Sequence, residues 1–148
     1  MTHPLAEPRI WDWALRMART VSEMSKDPST QVGAVIFDQH RRLVSAGYNG
    51  IPRGVEDSPR RLFDRETKLK MTIHAEKNAV NFATAPLHGS TLMCTHPCCT
   101  QCTAVLIQVG VKTVCWPKPD GLFAERWADD LRLSKEMFDE AGVTIDER

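Results

Sequence analysis

Between His74 and Cys102 the chain reads HAEKNAVNFATAPLHGSTLMCTHPCCTQC: a histidine, a glutamate two residues on, and a cysteine cluster about one strand length further along. For these groups to act together, the segment carrying His74 and the segment carrying the cysteines must meet at one point. The stretch therefore constrains the fold as much as the chemistry. A catalytic zinc takes three protein ligands and leaves a fourth position for water, whose pKa it lowers to about 7. His74, Cys99 and Cys102 make such a set. Positions two apart on a helix face different ways, so Glu76 is expected beside the metal and not on it. There a carboxylate can move protons between water and a leaving nitrogen.

The segment Pro97-Cys98-Cys99-Thr100-Gln101-Cys102 permits two ligand registers. Cys99 pairs with Cys102 at i, i+3, or Cys98 pairs with Cys102 at i, i+4, and either puts two sulfurs on one helical face. The first is favoured, because a two-residue gap is the common zinc spacing and both thiolates then sit in the first turn of a helix, where the dipole favours negative charge. Cys98 then becomes a neighbour lining the pocket.

Composition narrows the setting. At 148 residues, 42% hydrophobic and 26% charged, the chain reads as one domain spanning residues 1–148. Lys plus Arg equals Asp plus Glu at 19 each. That balance argues against nucleic acid as a partner, since phosphate backbones select basic surfaces. No segment approaches the roughly 20 apolar residues of a membrane span, and MTHPLAEPRI lacks a signal-like run. The reading is a cytoplasmic protein with reduced thiols, no membrane partner, and a cysteine cluster that binds metal instead of forming disulfides.

Helical spacing of Ile10, Ala14, Met17, Ala18, Val21 and Met24 predicts a first helix from Ile10 to about Lys26. Gln31–Phe37 and Leu43–Tyr48 then read as a hairpin. Asn49 to about Lys70 shows no clean periodicity and reads as a long functional loop. It carries six cations, including Arg53 and Arg65, against four acids, a local excess that suits a nucleotide phosphate as well as a solvated surface. A helix over Met71–Phe82, a strand over Ser90–Thr95, a helix over Cys99–Val109 and a strand over Lys112–Trp116 follow. A last helix covers Leu122–Ala141, with Phe123, Trp127, Leu131, Met137 and Phe138 on its apolar side, and Val143–Ile145 ends the pattern as a strand. Cys94 and Cys115 are expected in the core, and Trp11, Trp13 and Trp127 in the core or at subunit contacts. His88 and His96 read as loop residues, with His96 close enough to the cysteines to leave a second metal open.

GYNGIPRG, HAEKNA, the cysteine cluster followed by TAVLIQVGVKTVCW, and the earlier SKDPSTQVGAVI together resemble the deoxycytidylate (dCMP) deaminases of the cytidine deaminase-like superfamily, over about residues 10–116. The resemblance implies an α/β fold, a three-layer α/β/α sandwich with a five-stranded mixed sheet. It implies Zn2+ on His74, Cys99 and Cys102, Glu76 as proton shuttle, and conversion of dCMP to dUMP with loss of ammonia. Asn49 would contact the deoxyribose, Trp116 and Ala75 would line the nucleotide pocket, and Ser25 and Lys26, with a loop cation, would hold the monophosphate. It further implies a homohexamer activated by dCTP and inhibited by dTTP, each bound with Mg2+ around Tyr48, Asn49, Gly50, Arg53 and Arg65.

Three other readings stand beside this one. A related deaminase could act on free cytidine, on a tRNA base or on single-stranded DNA. A zinc that only holds the fold would need a fourth protein ligand, for which Cys98 and His96 are the candidates. A regulatory subunit could bind deoxynucleotides without turnover.

Overall fold

The computed structural model describes residues 2–148. Its elements in chain order are α1 (Pro8–Ser22), β1 (Gly33–Phe37), β2 (Leu43–Tyr48), α2 (Pro59–Leu62), α3 (Arg65–Met71), α4 (Ala75–Asn81), β3 (Thr91–Cys94), α5 (Thr100–Gln108), β4 (Thr113–Trp116), α6 (Gly121–Arg126), α7 (Ala128–Glu140) and β5 (Thr144–Glu147). The strands form one sheet in the order β2-β1-β3-β4-β5. β1 runs antiparallel to both β2 and β3, whereas β3, β4 and β5 are mutually parallel.

The period of two along each strand divides the core. Ala34, Ile36, Leu92, Cys94, Val114 and Trp116 face α4, α5 and α7. Val35, Phe37, Met93 and Cys115 face α1, which presents Ile10, Trp11, Ala14, Leu15 and Ala18. Sheet and helices thus make the three layers of an α/β/α sandwich with a mixed five-stranded sheet. Two glycines let helices approach it. A Cβ at Gly33 would lie 2.0 Å from the Ala18 carbonyl oxygen, and one at Gly47 would lie 2.4 Å from Ala79 N and 2.5 Å from Ala75 O. The second matters more here, because α4 follows His74 directly.

Several elements differ from their sequence reading, among them the helix read from Met71, which starts only at Ala75. The first helix stops at Ser22, since the Asp27 carboxylate accepts the N–H groups of Ser29 and Thr30 and turns the chain toward β1. The long loop contains α2 and α3, the latter capped by the Asp64 side chain on Thr67 N; both are too short to show a period. The last helix is two, broken at Trp127, whose ψ of 8° departs from helical geometry, and α7 buries Ser134 and Phe138. Among the described residues no helix is long and apolar enough to cross a membrane.

Candidate active site

His74 and Cys99 are not inside helices. Each is the extended N-cap residue of the helix that follows, His74 at φ −69°, ψ 155° before α4 and Cys99 at φ −72°, ψ 167° before α5. Cys102 sits in the first turn of α5. The two helix starts converge, so that His74 Nδ1 lies 3.4 Å from Cys99 Sγ and 3.4 Å from Cys102 Sγ. Zinc bonds of roughly 2.3 Å to sulfur and 2.0–2.1 Å to nitrogen, at a tetrahedral angle, separate those donors by about 3.5 Å. The three donors therefore fit a zinc ion. The hydrogen bond from Cys102 pulls the Cys99 thiol well below its usual range against the effect of burial, which favours a thiolate donor. Cys102 is pushed upward by Cys99 and by burial, and His74 upward by Cys99, so a bound cation would take the place of the protons on both.

Cys98 does not join them. It is fully buried in the core with Cys94 and Cys102, so the expectation that it lines the pocket fails. Among the described residues the donor group contains Cys99 and no fourth protein ligand, neither Cys98 nor His96. Glu76 also lies outside the donor group, one residue into α4, where the chain has turned away from His74. It is 4% exposed. Burial pushes its carboxyl upward, and Cys94 Sγ donates to Oε1 at 3.4 Å. A carboxylate so placed is suited to taking up and returning a proton.

His74, Glu76 and Cys99 line a cavity that also contacts Ala75, Asn49 and Arg65. Asn49 is held on both sides, its Oδ1 accepting Val32 N–H at 2.8 Å and its Nδ2 donating to Thr30 O at 2.9 Å. The remaining amide hydrogen is free for a ligand. Other expected residues stand elsewhere. Ser25 is buried and gives its hydroxyl to the Asn49 carbonyl at 2.8 Å, while Lys26 is exposed and paired with Asp57 at 2.9 Å. Trp116 lies in the core against Phe138, its indole N–H on Glu147 at 2.8 Å, because the strand alternation points it at α7. Tyr48 and Arg53 are outside the cavity, Arg53 lying over the Phe82 ring.

The opposite wall was not legible in the sequence. Phe123, Arg126, Trp127 and Leu131 reach the cavity from α6, α7 and the break between them, and His96 stands 5.3 Å from the Phe123 ring. Trp127 is thus a cavity residue and not a buried core one. Lys68, 4% exposed, bonds Asp27 at 3.0 Å and Ser29 at 3.2 Å beside it. The sequence signal available was Asp120, which caps α6 through Phe123 N; α3 is too short for its period to mark Lys68 as inward.

Residues 9–117 match the cytidine and deoxycytidylate deaminase zinc-binding region. The chain is 46% identical over 139 residues to the "Uncharacterized deaminase in luxG 3'region" of Aliivibrio fischeri, with 92% of this chain and 93% of that one covered. It is 30% identical over 142 residues to the deoxycytidylate deaminase of Homo sapiens, covering 90% and 76%. The dCMP deaminase of cyanophage S-TIM5, crystallised with dCMP and dUMP, shares the fold with a TM-score of 0.79 at 23% identity, covering 96% and 98%. Fold, donor set and matched region define a zinc-dependent hydrolytic deaminase. The chain belongs to the cytidine and deoxycytidylate deaminase family.

Proposed function

We propose that this protein converts dCMP to dUMP and ammonia, with zinc on His74, Cys99 and Cys102. The observation that carries the substrate is the pair of arginines on the cavity wall. Arg65, at the start of α3, and Arg126, at the end of α6, both line the cavity, and neither forms an ion pair among the described residues. Two free guanidinium groups suit a phosphate monoester. They replace Ser25 and Lys26 as its ligands. Phe123 and Trp127 offer faces for the pyrimidine, and the free Asn49 amide hydrogen suits a sugar hydroxyl.

When bound, zinc supplies the Lewis acidity that lets water act as a nucleophile near neutral pH. Glu76 accepts a proton from the attacking water and delivers it to N3 as C4 gains oxygen. It then carries a second proton to the exocyclic nitrogen as the C4–N bond breaks, so water enters and ammonia leaves. The three-donor site, with no fourth protein ligand, supports turnover over a purely structural zinc.

The regulatory reading, activation by dCTP and inhibition by dTTP with Mg2+, places those effectors on the loop around Tyr48, Asn49, Gly50, Arg53 and Arg65. Gly50 N donates to Ile73 O at 3.1 Å and Ile73 N to Gly50 O at 2.9 Å. A ligand on this loop would therefore act one residue from His74. Exposed Phe63, Leu69 and Phe82 support an oligomer, read here as a cytoplasmic homohexamer.

The test is the ultraviolet absorbance change on dCMP and on deoxycytidine, with and without dCTP, before and after chelation of zinc. Turnover of dCMP that chelation abolishes is expected. Arg126→Ala and Arg65→Ala should each raise KM for dCMP roughly 10- to 100-fold and leave deoxycytidine unaffected, as for loss of a charged hydrogen bond. Equal kcat/KM for the two substrates in the parent protein would overturn the monophosphate assignment.

A further inference from the structure

α7 reaches back to the turn that carries the two cysteine ligands. Asp130 Oδ2 accepts Thr100 N–H at 3.0 Å, and its Oδ1 accepts the Thr100 hydroxyl at 2.9 Å. One helical turn on, Ser134 Oγ donates to the Cys98 carbonyl at 2.7 Å. The proton order is then set: the Thr103 hydroxyl, also in contact with Ser134 Oγ, must donate to it. Ser134 is 2% exposed and Thr103 fully buried. The segment from Cys98 to Thr103 is thus held at both ends by two residues on one face of a single helix.

The hold also sorts the amides at the start of α5. Thr100 N–H, the first that the helix leaves without a partner, goes to Asp130, and the N-cap residue Cys99 makes no side-chain cap hydrogen bond. A sulfur at an N-cap is a poor acceptor for several amides at once. With the first one taken by a carboxylate, Cys99 Sγ is free to turn toward His74.

We infer that Asp130 and Ser134 are positioning residues that hold Cys99 and Cys102 in metal-binding geometry. The inference rests on the reading of His74, Cys99 and Cys102 as zinc ligands. α7 is preceded by Trp127 and carries Leu131, both on the cavity wall, so one helix ties the metal turn to the wall that faces substrate.

The experiment measures zinc release from the intact holoprotein to a chromophoric chelator, together with the thiolate charge-transfer bands of the cobalt-substituted form. Asp130→Ala and Ser134→Ala should release zinc about 10- to 100-fold faster, the range for loss of a partner behind a metal ligand, and shift the cobalt bands. Asp130→Asn keeps an acceptor for Thr100 N–H and a donor for its hydroxyl, and should stay within a few-fold of the parent. Phe138→Leu removes buried volume from the same helix against Trp116 but leaves the Asp130 and Ser134 bonds to the turn in place, and should release zinc at the parent rate. Parent-like release and cobalt spectra in both alanine variants would overturn the inference, as would equal acceleration by Phe138→Leu. Cys99→Ala tests the underlying reading separately: zinc retained at full occupancy there would remove the ligand assignment, and the brace with it.

Discussion

Asn49 Oδ1 accepts the Val32 N–H at 2.8 Å, and through this bond a residue on the cavity wall sets the entry of the chain into β1. The same side chain gives Nδ2 to the Thr30 carbonyl at 2.9 Å and is 7% exposed. Asn49 is as much a fastener of the cavity wall as a ligand for anything inside it. Asn49→Asp keeps the acceptor but sets a second oxygen against Thr30 O. It should lose about 1–3 kcal/mol, the cost of an unsatisfied buried polar group, and at least tenfold in kcat/KM. Urea unfolding checks the first figure; stability unchanged within experimental error would show that the bonds carry no weight.

Glu76 is buried, outside the donor group, and lines the cavity beside His74. Glu76→Gln should therefore retain one zinc per chain and the parent fold while turnover falls by roughly 10²- to 10⁴-fold, the usual contribution of a general acid or base. Zinc content by atomic emission and the absorbance assay decide it. A variant with parent turnover rules the proton role out.

Gly47 lies against α4 so closely that a methyl group would sit 2.8 Å or less from three backbone atoms of that helix. Gly47→Ala should cost about 1–3 kcal/mol through overpacking, and the forced shift of α4 should lower activity by carrying His74 and Glu76 apart from Cys99 and Cys102. Gly50, just past the end of β2, has nothing within 4 Å of an added Cβ. Gly50→Ala should leave thermal stability nearly unchanged. Equal Tm values for the two variants would refute the close-approach argument.

His3, Cys115 and Asp146 form a second group with metal-donor chemistry, but its protons are already assigned. Leu5 N–H donates to His3 Nδ1, so Nε2 carries the proton and gives it to Asp146 at 2.7 Å, while Arg148 covers both Asp146 oxygens at 2.8 and 2.9 Å. This is a clamp between the two ends of the chain. Burial raises the Asp146 carboxyl, but bonds from Arg148 and His3 outweigh it and leave it below its usual value. The folded value lies under the unfolded one, so the clamp's stability is fully present above about pH 4 and is lost as pH falls through the folded value. Asp146→Asn should remove about 1.5–3 kcal/mol at neutral pH and flatten the acid limb of the Tm-versus-pH curve below pH 4. A variant whose acid limb matches the parent's would place that loss at other carboxylates.

The sequence by itself determined the candidate donor set and the order of the elements. His74, Glu76, Cys99 and Cys102 are legible because two short segments at helix starts, each with local spacing, suffice to carry them. The sheet was legible for a similar reason, since apolar runs such as Gly33–Phe37 report burial directly. Tertiary structure decided which side of each element the cavity touches. A period says that one face is apolar; it does not distinguish a face packed on the core from one that walls a pocket. Trp116 and Trp127 both read as apolar aromatics, yet strand alternation turns the first onto Phe138, while the break after Arg126 turns the second into the cavity. Lys26 and Lys68 are likewise both cations near the same turn in space. Only the packing of α3 against the 25–30 loop buries Lys68 on Asp27 and leaves Lys26 in solvent, because that contact joins residues 41 positions apart.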